Sequence, residues 1–274
     1  MSWTEITRRQ YRRDELRFAS DTTENEWALL GPLMPEPAGI GRRRTTDLRA
    51  VVNAILYILA TGCQWRALPK DFPPRSTVQR YFYRWRSDGT WHWIHRRLLI
   101  LVRKRQGRKA NPSAAIIDSQ SVKTTESGGP RGFDAAKRVM GRKRHIVTDT
   151  EGSLLAVLVH TANVQDNHGA VPLLRSIGCR FPRLRHIFAD RVYRGQKLLN
   201  ALAGLGKWTI EIVTRTQTFG TFKPEPRRWV VERTFAWLSR NRRLAKDFEA
   251  TIVSAEAWVL IASVQLLTRR LARA

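Results

Sequence analysis

The chain has only two cysteines, Cys63 and Cys179, in 274 residues. Two are too few for a disulfide framework or a cysteine-built zinc cluster, and none of the six histidines has zinc-like spacing. Reduced thiols and a cytoplasmic setting are the expectation. Acids are scarce too: 23 Asp+Glu face 49 Lys+Arg, a formal net charge of +26. That imbalance suits a partner carrying a dense row of phosphates, because neutralising them releases counterions. Nucleic acid is the expected polyanion. A basic membrane-surface protein competes with this reading, but no run approaches the roughly 18 apolar residues of a membrane span. Nor does a short apolar segment follow a charged N-terminus, as in a secretion signal.

What is present is enough apolar material for a real core: 42% hydrophobic residues, with ten tryptophans. The composition changes across "VRKRQGRKANPSAA", residues 102 to 115. Ahead of it nearly everything reads as helix, and behind it strands appear. The expected division is a basic lead-in over 1–20, an all-helical segment over 21–108 and an α/β domain over 112–274.

In the helical segment, Thr23 and Glu26 form a capping box for a helix through Trp27, Leu29 and Leu30. Leu48, Val51, Val52, Ile55, Leu56 and Leu59 repeat at helical spacing up to Gly62, a stop signal. Ser76 is placed to cap a helix bearing Gln79, Arg80, Tyr83, Arg84 and Arg86. A short helix, a turn and a basic, aromatic second helix meet the needs of a helix-turn-helix reader of the major groove, with Arg80 and Arg84 as DNA contacts. A small bundle with a solvated basic face is the other reading. Tyr81, Phe82, Trp85, Trp91 and Trp93 read as helical core rather than a base-stacking platform.

Beyond the linker, "RKRHIVTDTEGSLLAVLVHTA" holds two β-rich runs, 142–148 and 154–161, joined by hairpin chemistry. Further on, the pattern predicts a helix from about His168 to Ser176 and a strand, Ile187 to Ala189. A helix through Leu198 and Leu199, a strand in "WTIEIVTR" and helices over 226–243 and 251–271 complete it. This describes an α/β fold, a mixed sheet flanked by helices.

Two strands run into acids: Ala114 to Ile117 ends at Asp118, and Ile187 to Ala189 ends at Asp190. If those strands are parallel neighbours, the carboxylates lie side by side, and such a pair calls for a cation such as magnesium between them. Taken alone, Asp118 reads equally as a loop acid that accepts backbone hydrogen bonds. Glu232 shares a helix face with Arg228, Ser239 and Arg243, so an i,i+4 salt bridge to Arg228 explains it locally. Asp149 and Glu151 read as turn residues. Asp166 reads as a helix N-cap and is the rival ligand, and His145 reads as structural or phosphate-binding.

The segments "ASDTTENEW", "GCQWRALPKDFPPRSTVQRYFYRW", "IIDSQSVKTTESGG", "GRKRHIVTDTEG", "ANVQDNHGA" and "RRWVVERTFAWLSRNRRLAKDFE" resemble the DDE transposases of bacterial insertion sequences, in the group of families four and five. The resemblance extends over nearly the whole chain. It implies a ribonuclease H-like core behind an N-terminal helical DNA-binding domain. It also implies that Asp118, Asp190 and Glu232 are catalytic and coordinate two magnesium ions, with manganese as a substitute and no organic cofactor. The family's last motif reads Tyr, two residues, Arg, three residues, Glu, six residues, Lys. Arg228 and Glu232 keep it, Glu225 stands for the Tyr and Ser239 for the Lys, and Arg240 or Arg243 is the expected replacement cation. Val192 stands where similar proteins carry a small residue. The resemblance implies terminal inverted repeats and target DNA as double-stranded partners, and at least a dimer when DNA is bound. Lys123, Lys143, Arg144, Arg228 and Arg240 are the expected phosphate contacts near the metals. A copy that keeps the fold and represses its element without cutting is the alternative.

Overall fold

The computed structural model describes Glu5 and residues 11–37, 44–126, 128–203, 208–213 and 228–273. The first helix, α1 (Glu24–Leu30), starts at the expected capping box. Thr23 Oγ1 accepts from the Glu26 amide at 3.2 Å, and Glu26 Oε2 accepts from the Thr23 amide at 3.1 Å. Helix α2 (Leu48–Thr61) stops at Gly62, whose φ of 71° suits glycine. Gly62 is required twice over, because a Cβ there would lie 3.2 Å from the backbone of Arg242 and Arg243.

Helices α3 (Arg75–Ser87) and α4 (Thr90–Arg105) follow. Ser76 does not cap α3: Pro74 holds that position, and its carbonyl accepts from the Thr77 amide at 2.8 Å. The fixed φ of the proline starts the helix without a side-chain cap. Phe82, Trp85 and Trp91 are buried and Tyr81 is half-buried, as a helical core requires. Trp93 departs from that reading. It is 48% exposed, with the Arg97 guanidinium 5.7 Å from its ring centroid.

The sheet has six strands: β1 (Ala114–Lys123), β2 (Gly132–Asp134), β3 (Val139–Asp149), β4 (Leu154–Thr161), β5 (His186–Ala189) and β6 (Thr209–Ile212). Its order is β2-β3-β1-β5-β6, with β4 also on β3. The β1–β3, β2–β3 and β3–β4 pairs are antiparallel, and the β1–β5 and β5–β6 pairs are parallel. The expected hairpin is therefore present, and β3 is longer than its apolar run because β1 and β2 pair with its first residues.

Strand β1 does not stop at Asp118. It continues to Lys123, with Asp118 opposite Ile146, because β3 supplies partners along its whole length. On the other side β5 accompanies it only through Ile116, so residues 118–123 form an edge where polar side chains are tolerated.

The remaining helices are α5 (Asp166–Gly178), α6 (Gln196–Leu202), α7 (Arg228–Ser239), α8 (Arg242–Ala245) and α9 (Ile252–Ala272). The single helix expected over 226–243 is broken. Asn241 is extended at φ −81°, ψ 114°, and the chain turns so that Arg243 points inward. Residues 226–227, with Glu225, lie outside the described residues, as does the end of "WTIEIVTR". Asp166 sits in the first turn of α5, where Gln165 takes the cap position.

Helix α9 corrects the expectation about long apolar runs. It is 21 residues long, and an 18-residue window of it reaches a mean hydropathy of 1.3, long and apolar enough to cross a membrane, yet 72% of that window is buried inside the protein. Helices hydrophobic on every side belong in cores. Here α9 packs against α1, α2, α3, α4 and β4, and one hydrophobic cluster runs from Leu30 through the sheet to Leu271. By sequence α9 follows the composition change, while by packing it completes the helices that precede it.

Candidate active site

Strands β1 and β5 set the geometry. Their last paired residues are Ile116 and Phe188, so Asp118 and Asp190 each stand two residues beyond, in register at the open edge. Ile187, Phe188 and Ala189 anchor β5 in the core, and Asp190 caps the short turn Arg191–Tyr193, accepting from the Val192 amide at 3.3 Å. Val192 itself is 56% exposed, with its side chain turned to solvent.

Asp118 is half-buried, and its Oδ1 accepts from the Ser119 amide at 2.7 Å. Burial pushes its carboxyl up to about 6, assisted by the charge of Asp190 and opposed by the Ser119 amide, Arg228 and Lys137.

Helix α7 lies against β1 and β3 and carries the third acid. Arg228 Nη2 donates to Asp190 Oδ2 at 2.6 Å, while its Nε lies 3.3 Å from Glu232 Oε1. The local salt bridge and the link to the strand acids coexist, with one guanidinium serving both. Among the described residues no group of three His, Cys, Asp or Glu is closed up to hold a metal ion. Arg228 holds the centre that a cation shared by Asp190 and Glu232 would take. The donor set still fits a hard divalent ion: carboxylate oxygens only, two of them crowded, and Glu232 on a side chain that is 54% exposed and able to turn.

The other predicted cations divide sharply. Lys123 is exposed at the end of β1, and Arg80, Arg84 and Arg240 are exposed on the helices. Lys143, Arg144 and Arg243 are not near solvent. Lys143 Nζ pairs with Asp166 at 2.8 Å and Asp134 at 3.3 Å; Arg144 donates to the Leu244 carbonyl at 2.7 Å; and Arg243 holds Glu249 at 2.5 Å and the Cys63 carbonyl at 3.1 Å. All three have protein partners, and for Lys143 and Arg144 the reason is β3's position. Its alternate residues face α8 on one side and α5 on the other, so long side chains there reach protein partners. Ser239, in the place of the family's lysine, ends α7 and is exposed.

His145 is structural. His160 Nδ1 donates to the Thr161 carbonyl at 2.8 Å, so His160 Nε2 accepts from His145 Nδ1 at 2.8 Å. Burial, then the charge of His160, holds His145 down to about 3, so it stays neutral. Asp166, the rival ligand, balances Lys143 beside it at 2.8 Å.

Two residues near the acids escaped the sequence reading. Lys137, in the β2–β3 turn, donates from Nζ to the Ser119 carbonyl at 3.2 Å, and its amide is held by Asp134 at 3.1 Å. Tyr193 is buried, and burial together with the charges of Asp118, Asp166 and Asp190 pushes its hydroxyl well up. Tyr193 was legible as a neighbour of Asp190 in "ADRVYRG". Lys137 carries no local signal.

The profile of the Transposase DDE domain family matches residues 109–267, and that of the Putative transposase of IS4/5 family matches residues 22–95. A "Putative transposase for insertion sequence element IS402" from Burkholderia cepacia is 37% identical over 144 residues, 49% of this chain and 64% of that protein. The "Insertion element IS402 uncharacterized 16.2 kDa protein", from the same organism, is 32% identical over 108 residues, 37% of this chain and 72% of that protein. The chain thus spans less than two thirds of the first relative's length. No solved structure matches significantly. Because the first profile begins ahead of β1 and ends within α9, taking in the whole sheet and all three acids, the chain belongs to the Transposase DDE domain family.

Proposed function

We propose that this chain binds the terminal inverted repeats of an insertion sequence, nicks the DNA by metal-dependent phosphodiester hydrolysis and joins the freed 3′ ends to target DNA. The observation that carries the reading is the register of Asp118 and Asp190 on neighbouring parallel strands, with Glu232 on α7 linked to Asp190 through Arg228. Three antiparallel pairs among β1 to β4, followed by parallel β5 and β6, support a ribonuclease H-like catalytic part.

Asp118, Asp190 and Glu232 would hold magnesium, or manganese in its place. Such an ion supplies charge neutralisation at the phosphate and activation of the attacking oxygen. Water adds to phosphorus as the bond to the 3′ oxygen breaks; the released 3′-hydroxyl then attacks a target phosphorus, whose bond to its own 3′ oxygen breaks as that oxygen leaves with a proton as a target 3′-hydroxyl. No covalent protein intermediate or nucleotide cofactor is required. The chain's own contribution is positional. Asp118 and Asp190 define the reacting edge, Arg228 turns from Asp190 toward the phosphate, and Lys137 and Lys123 add positive charge along β1. Arg80 and Arg84, exposed on α3, support major-groove contact by the helical segment over 21–108, and pairing of two element ends calls for at least a dimer. A repressor without chemistry has no use for crowded carboxylates beside phosphates, where they repel the ligand.

The test is excision in cells from a reporter carrying the element's ends, with wild type and Asp118→Asn. Loss of excision in the variant with DNA binding retained supports the reading. A wild type that binds the ends and never excises them overturns it.

A further inference from the structure

At the far end of α7 from the acids, a cleft of about 380 Å³ opens between the α7–α8 turn, α9 and the segment leading into α1. Its chemistry is one-sided. Arg240, Arg269, Arg270 and Arg273 line it, and no Asp or Glu is among its lining residues. Inside, Ser20 is 6% and Gln265 7% exposed, and Ser20 Oγ, Gln265 Nε2 and Arg269 Nε are buried without a hydrogen-bond partner. Three buried donors without a hydrogen-bond partner, all on residues that line one cleft, are unusual in a folded protein and call for an acceptor.

The neighbouring acids are already engaged. Glu26 is held by Arg13 at 2.8 Å and reaches Arg269 only at 3.9 Å. Burial, with Arg13 and Arg273 close by, lowers the Arg269 guanidinium to about 10. The wall is rigid, since Trp237 stacks against Arg233 and Arg270, each 4.5 Å from its ring centroid.

From the four arginines that line it without an acid, we infer that this cleft seats a backbone phosphate of the DNA, away from the bond being cut. The inference rests on the DNA-cutting reading above and adds where the duplex is anchored. From Glu232 to Ser239 the helix rises about 10 Å, so a phosphate in the cleft lies on the order of three nucleotides along a strand from the acids. Helix α7 then works as a spacer between reaction and anchor. Arg240 acts at the anchor rather than as a cation beside the carboxylates.

The test is the salt dependence of binding to a mixed-sequence duplex, using wild type, Arg240→Gln/Arg273→Gln, Gln265→Met and Asp118→Asn, each checked for an unchanged melting transition. Each lost phosphate contact lowers the slope of log K against log salt by about 0.9. The double arginine variant is expected to lose one such step or more, with at least tenfold weaker binding at low salt. Gln265→Met should weaken binding at unchanged slope, and Asp118→Asn, which removes a repelling carboxylate, should not weaken it. Wild-type slope and affinity in both cleft variants overturn the anchor alone. A wild type that binds no duplex overturns the DNA-cutting reading and the anchor with it. Stabilisation of the wild type by inorganic phosphate, lost in Gln265→Met while duplex binding is untouched, assigns the cleft to free phosphate and overturns the DNA assignment.

Discussion

Arg228 on α7 and Asp190 at the end of β5 meet at 2.6 Å, and through this contact the helix that carries Glu232 is held against the strand edge that carries Asp118. Both side chains are largely shielded, at 22% and 19% exposure, so the ion pair is worth more than an ordinary surface bridge. A double-mutant cycle of Arg228→Met and Asp190→Asn, followed by urea unfolding without metal, is expected to show a coupling of about 1–2 kcal/mol. Strictly additive losses would rule the link out.

Acid should destabilise the protein through His95. It is 4% exposed where α4 meets α9, its Nε2 lies 3.1 Å from Ser263 Oγ, and burial, with His92 and Arg96 nearby, lowers it to about 3. The unfolded chain takes up this proton near the ordinary histidine value of about 6.5, and the folded chain resists doing so. Its stabilising contribution is therefore complete above that value and is lost as pH falls toward 3. The full shift corresponds to a few kcal/mol, on the order of 4. Unfolding midpoints of His95→Gln should change less with pH over this window than those of wild type, and parallel curves would refute the assignment.

Gly169 should tolerate no side chain. A Cβ there would lie 2.5 Å from both His145 Cε1 and His160 Nε2, two rings fixed by their mutual hydrogen bond. Gly169→Ala forces α5 off the sheet or breaks the histidine pair, at a cost of about 1–3 kcal/mol. Calorimetry checks this: a variant as stable as wild type means that the rings move freely. Asp166, in the first turn of α5, shifts with the helix, so Lys143 should lose its partner in the same variant.

Local patterns in the sequence carried the start of α1, the hairpin and the apolar strand of β5, because capping residues, turn residues and alternation act over a few positions, although Pro74 and Gln165 rather than Ser76 and Asp166 open α3 and α5. They also carried Asp118 and Asp190 as a pair, since both follow the same apolar-to-acid step. Three features depended on partners far along the chain. Strand β1 extends past Asp118 because β3 pairs with it to Lys123. Arg142 is fully buried because Asp247, 105 residues away, answers it at 3.1 Å, and Arg144 beside it spans a similar gap. The break between α7 and α8 lets Arg243 reach Glu249 and Cys63. A cation in a basic sequence looks like surface until the partner that swallows it is known.

The packing of α9 against α1 to α4 also fixes an order of events in the cell. Helix α4 ends at Arg105 and α9 begins at Ile252, so at about 5–20 residues per second roughly 7–30 s of synthesis separate them. Throughout that interval the apolar faces of the early helices have no mate. The nascent chain waits, open to chaperones and to aggregation, until its last helix arrives. A stall before Ile252 therefore leaves a chain without the helix that closes its core.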